Sequence, residues 1–85
     1  MLEELLASLI PNGTNSLNTR KIDRNIEMLK NHSWFMNIYD DEKYHSLFFG
    51  NRKVRMYLQN TYRVKRIIKK EHVQRKFIIF LNHQV

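Results

Sequence analysis

The chain has 85 residues, with 15 Lys and Arg against 8 Asp and Glu, a net charge of +7 and no Cys. That length holds one small domain with a modest core, to be supplemented by oligomerisation or a partner, so a homodimer is among the expected states. The lack of thiols excludes disulfides and thiolate chemistry and fits a reducing, cytoplasmic setting. No apolar run approaches the length of a transmembrane segment, the longest being residues 77–81.

Residues 2–10, LEELLASLI, predict a first amphipathic helix, with Leu2, Leu5, Leu6, Leu9 and Ile10 on one side. Glu3 and Glu4 favour its dipole and stand where a secretory leader would carry Lys or Arg. Pro11-Asn12-Gly13 ends it. A second helix is expected from Asn18 or Thr19 to about His32, with Ile22, Ile26 and Leu29 on its apolar stripe. Helix, turn and helix invite a helix-turn-helix reading with residues 19–31 in a DNA groove. Against it stand the long turn and the acids Asp23 and Glu27, which would face phosphate.

From Trp34 the apparent hydrophobic period falls to two. WFMNIY, residues 34–39, and YHSLFF, residues 44–49, read as strands separated by the polar turn Asp40-Asp41-Glu42-Lys43. Gly50-Asn51 suits a two-residue type II′ hairpin, because the first central residue needs positive φ. Residues 53–58 and 61–66 alternate apolar with basic, and RKFIIFLN, residues 75–82, reads as a central strand apolar on both faces. The expected fold class is α+β, two N-terminal helices packed on an antiparallel sheet of about five strands. The alternative is a mostly α chain with residues 52–70 as one basic amphipathic helix. Against that alternative, a helix starting at Asn51 would hold Arg52, Lys53 and Arg55 at the positive end of its dipole, although Asn51 would cap it.

Charge is unevenly spread along the chain. Residues 1–42 hold four bases and seven acids, a net of −3; residues 43–85 hold eleven bases and one acid, a net of +10. Eight of the fifteen bases fall in residues 52–70, RKVRMYLQNTYRVKRIIKK, without one acid. Such a field concentrates polyanions, with nucleic acid first among them, then anionic membrane and acidic protein surfaces. The plainer reading is a solvated basic face kept for solubility. As the solvent face of a sheet, Lys53, Arg55, Tyr57, Arg63 and Lys65 would interleave cations with an aromatic ring, which suits phosphate neutralisation and base stacking. The candidate nucleic-acid contacts are therefore Arg52, Lys53, Arg55, Tyr57, Arg63, Lys65, Arg66, Lys69 and Lys70.

Catalytic and metal signatures are not evident. His32, His45, His72 and His83 show no paired spacing, and Asp40, Asp41 and Glu42 read as a solvated turn, so neither a metal nor a cofactor is expected. A metal-independent ribonuclease could draw on His45, His72, Tyr57 and Arg55 or Arg63, but these are residue types that any basic chain offers. Trp34, Phe35, Phe48, Phe49, Phe77 and Phe80 read as core, and any of them left exposed would mark an interface. Nine Asn, eight Ile and eight Lys are what AT-rich codons yield, which points to a low-GC bacterium, its phages or its plasmids.

The leading expectation is a small, non-enzymatic nucleic-acid-binding protein, a regulator from a phage or mobile element. The competing expectation is a stoichiometric inhibitor of a host nucleic-acid-handling or defence complex, of the anti-CRISPR kind. Attachment to an anionic membrane surface follows only if residues 52–70 are helical.

Overall fold

The computed structural model describes residues 17–85; the expected helix over residues 2–10 and the turn after it lie outside the described residues. In chain order the elements are α1 (Thr19–Leu29), α2 (Ser33–Tyr39), α3 (Glu42–His45), α4 (Leu47–Gly50), α5 (Arg52–Gln59), α6 (Thr61–Lys69) and α7 (Glu71–Asn82). Among the described residues there is no strand, so the expected α+β fold with an antiparallel sheet is overturned. Residues 52–70 are helical, but as two helices broken at Asn60 rather than as one.

The helix expected from Asn18 or Thr19 does form, and Asn18 Oδ1 caps it by accepting from the Lys21 amide at 3.0 Å. The same device recurs along the chain. Asp41 accepts from Lys43 N, Asn51 from Val54 N and Asn60 from Arg63 N, each at 2.9 Å. Each cap is worth about 1 kcal/mol, because it satisfies an amide that the first turn leaves without a partner. These caps lie where the alternation pattern placed turns and hairpins.

The strand reading fails for an identifiable reason. In the runs Val54-Met56-Leu58 and Phe77-Ile79-Leu81, the outer residues are buried while Met56 and Ile79 are 50% and 56% exposed. A strand would have buried all three of each run; a helix buries i and i+4 and turns i+2 away. The core therefore follows the helical spacings Val54/Leu58, Val64/Ile67 and Val73/Phe77/Leu81. Gly50 closes α4 with no left-handed φ, and Asn51 serves as the cap of α5, so no type II′ hairpin is built there.

The dipole objection to a helix at Asn51 is outweighed by larger effects. An exposed cation in a first turn costs about 0.3–1 kcal/mol. The Asn51 cap contributes about 1 kcal/mol, and burying Val54 and Leu58 contributes about 1.5–3 kcal/mol each.

Helix α1 lies against α5 and α6, and α7 against α6. The interior has an aliphatic part, including Ile22, Ile26, Leu29, Val54, Leu58, Val64 and Ile67, and an aromatic part built on Phe35, Phe48 and Phe77. Phe35 meets Phe48 edge-on at 5.3 Å between centroids and stacks on Phe77 at 6.4 Å, which ties α2, α4 and α7 together. At the chain's end, Tyr44 Oη donates to Asn82 Oδ1 and Asn51 Nδ2 donates to Gln84 Oε1, so α3 and the α4–α5 junction hold the end of α7.

Candidate nucleic-acid interface

The helical course of residues 52–70 redistributes the nine candidate residues. They do not share one face, as a sheet would have required. Three of them are engaged in holding the fold. Arg55 is in the second half-turn of α5, with its side chain only 12% exposed. Its guanidinium donates to the Phe48 carbonyl at 2.6 Å and pairs with Asp23 at 3.3 Å, joining the end of α4 to α1. Tyr57 is half-buried, stacked on Phe80 at 4.3 Å between centroids and on Phe77 at 5.7 Å. Arg63 lies over the Tyr57 ring at 4.4 Å and donates to the Tyr57 carbonyl at 3.2 Å, bridging the α5–α6 break. The expectation that Arg55, Tyr57 and Arg63 interleave on an open surface with Lys53 and Lys65 is therefore corrected. A helix turns successive residues by 100°, so alternate positions part company.

Arg52 and Lys53 are exposed in the first turn of α5. Lys65, Arg66 and Lys69 are exposed on α6, followed by exposed Lys70, while Val64 and Ile67 of the same helix are fully buried. These four cations, with Tyr62, line one surface concavity of about 250 Å³. Tyr62 is 72% exposed. Alternation paired it with Val64 on the apolar face; helical counting would have found it, since Lys65, Arg66 and Lys69 follow at i+3, i+4 and i+7.

A second concavity, at the junction of α1, α5 and α6, is lined by Lys21, Met56, Gln59, Asn60 and Arg63. Lys21 had no signal in the sequence, because its neighbours here lie at least 35 residues further along the chain.

Helix α1, which the helix-turn-helix reading placed in a groove, is packed on α5 and α6 through Ile22, Ile26 and Leu29. Its outward side mixes Arg20 and Arg24 with Asp23 and Glu27, of which Asp23 pairs with Arg55 and Glu27 with Lys30. Of the residues in the ribonuclease reading, His45 joins Arg55, Tyr57 and Arg63 in having structural contacts, whereas His72 is exposed on α7. His45 Nδ1 lies 2.7 Å from the Tyr39 carbonyl, and its ring packs on Tyr39 and Phe49. Among the described residues no three His, Asp or Glu side chains converge as a metal site. Nor is any helix there long and apolar enough to cross a membrane. No protein-family model matches the chain, and no curated protein or solved structure is found to be similar to it.

Proposed function

We propose that this chain is a small, non-enzymatic nucleic-acid-binding protein, a regulator of phage or mobile-element origin working in the cytoplasm, that meets its ligand through the outward side of α6. One observation carries the reading: Lys65, Arg66, Lys69 and Lys70 surround a single concavity together with the exposed ring of Tyr62. Cations so grouped release counterions from phosphate, and the low-dielectric helix behind them focuses their field. Arg52 and Lys53 extend the basic surface on α5, whereas Arg55, Tyr57 and Arg63 act in this reading by holding the helices that present it.

Fluorescence anisotropy with labelled nucleic acids at physiological salt tests the reading. Lys65→Glu with Lys69→Glu is expected to weaken binding roughly tenfold or more while the far-UV spectrum stays native, since both side chains are exposed. Unchanged affinity would remove α6 from the interface.

A second reading, stoichiometric inhibition of a host nucleic-acid-handling or defence complex, is favoured by a separate observation. Phe49 is 58% exposed and lines a concavity of about 390 Å³ with Ile26, Tyr39, Asp23, Glu27 and Arg55. An exposed aromatic with a charged rim is what a protein interface uses as an anchor. Stoichiometric association with one host protein after nuclease treatment, lost on Phe49→Ala and kept on Lys65→Glu, would favour inhibition over nucleic-acid binding.

A further inference from the structure

We infer that the ligand of the α6 surface is single-stranded nucleic acid, with an unpaired base stacked on the Tyr62 ring and the flanking phosphates held by Lys65, Arg66, Lys69 and Lys70. The inference rests on the nucleic-acid reading above and specifies its substrate. Its starting point is the combination of an aromatic ring 72% exposed with four cations around one concavity.

Other aromatic side chains of the chain show what Tyr62 is not doing. Tyr57 stacks on Phe77 and Phe80 beneath Arg63, Tyr39 packs on Phe35 and Phe48, and Tyr44 is bonded to Asn82 through its hydroxyl. Tyr62 instead stands outward from the first turn of α6, while Val64 and Ile67 on the other side anchor the helix in the core. The ring is thus borne on a helix secured by two buried side chains and an Asn60 cap, so little further ordering is needed on binding.

Spacing then matches the ring to the cations. Lys65, Arg66 and Lys69 follow Tyr62 by three, four and seven residues, which puts all of them on one side of the helix over about 10 Å of its axis. A base lying on the ring would have its own phosphates within reach of the nearer pair and the next phosphates near Lys69 and Lys70.

The same geometry argues against duplex as the preferred ligand. In a duplex the base faces are already stacked on one another, and a Tyr ring meets them only by forcing a step apart, at a cost of a few kcal/mol. In a single strand the faces are open, and stacking on an aromatic side chain is sequence-tolerant.

The test compares three labelled ligands by anisotropy at one salt concentration: oligothymidylate, the same strand with its bases replaced by abasic residues, and an oligodeoxyadenylate–oligothymidylate duplex. Wild-type protein is expected to prefer oligothymidylate. Tyr62→Ala is expected to weaken that binding by about 5- to 150-fold, the range for one base–aromatic stack, and to leave the abasic strand unaffected. Tyr62→Trp restores it, while Lys65→Ala weakens the base-bearing and abasic strands alike. Duplex bound as tightly as the single strand, or Tyr62→Ala acting equally on the abasic strand, would overturn the single-strand inference and leave nucleic-acid binding standing. Binding to none of the three at physiological salt would overturn both.

Discussion

Asn25 lies in the middle of α1 with almost no solvent exposure, and its side-chain amide donates to the carbonyls of Leu58 at 2.8 Å and Gln59 at 3.3 Å. Its Oδ1 accepts from the Thr61 hydroxyl at 3.3 Å. The two carbonyls belong to the last turn of α5, where no further helical amide follows to meet them. A side chain more than thirty residues upstream thus serves as the C-terminal cap of α5 and as a clamp on the α5–α6 break. Asn25→Ala leaves buried acceptors without a donor, so it is expected to cost about 2–3 kcal/mol, read as a lowered urea midpoint with an unchanged slope. A loss under about 0.5 kcal/mol would mean that water replaces the amide and that the clamp is dispensable.

At the scale of the element, residues 47–59 show how one junction can satisfy two opposite readings. Gly50-Asn51 between apolar runs is a hairpin signal, and Asn followed by Arg-Lys-Val-Arg is equally a capped helix. The two predict opposite responses to Gly50→Ala. A hairpin Gly at positive φ would resist the methyl group, whereas at the end of α4 a Cβ on Gly50 meets nothing within 4 Å and φ is not left-handed. Gly50→Ala is therefore expected to be neutral or to stabilise by up to about 1 kcal/mol, chiefly by restricting the unfolded chain. A lowered melting temperature would count against the helical ending of α4. Element geometry also decides which cations are suitable for testing binding. Replacing Arg55 or Arg63 breaks contacts with Phe48, Asp23 and Tyr57, so a lost signal there would report on folding. Lys65 and Lys69 avoid that confusion because they are exposed.

At the scale of the molecule the basic half of the chain becomes a surface only in part. If the four cations around the α6 concavity carry the contacts, binding of single strands should follow log K against log salt with a slope near about −3, from roughly 0.7 counterions released per phosphate. Lys65→Ala should then reduce the slope by about 0.7, measured by the same titration across a salt series. A slope near zero would mean that the interaction is not electrostatic. A slope well beyond about −5 would enlist further cations, with the exposed Arg52 and Lys53 of α5 the first candidates.

Much of this was legible in the amino-acid order. The uneven charge, the concentration of cations in residues 52–70 and the helix beginning at Asn18–Thr19 are all local properties, carried by composition, capping side chains and a stripe of Ile22, Ile26 and Leu29. The choice between strand and helix after Trp34 was not legible, because over six to eight residues an alternating pattern and a 3.6-residue pattern coincide at i and i+4 and too few positions remain to separate them. Val54 and Leu58 fit both; only the exposure of Met56 separates them. Tertiary structure alone decided which of nine candidate residues are spent on the fold. The partners of Arg55 and Tyr57 include residues at least twenty positions away, Asp23 for one and Phe77 and Phe80 for the other, and a contact over that distance leaves no local pattern to read.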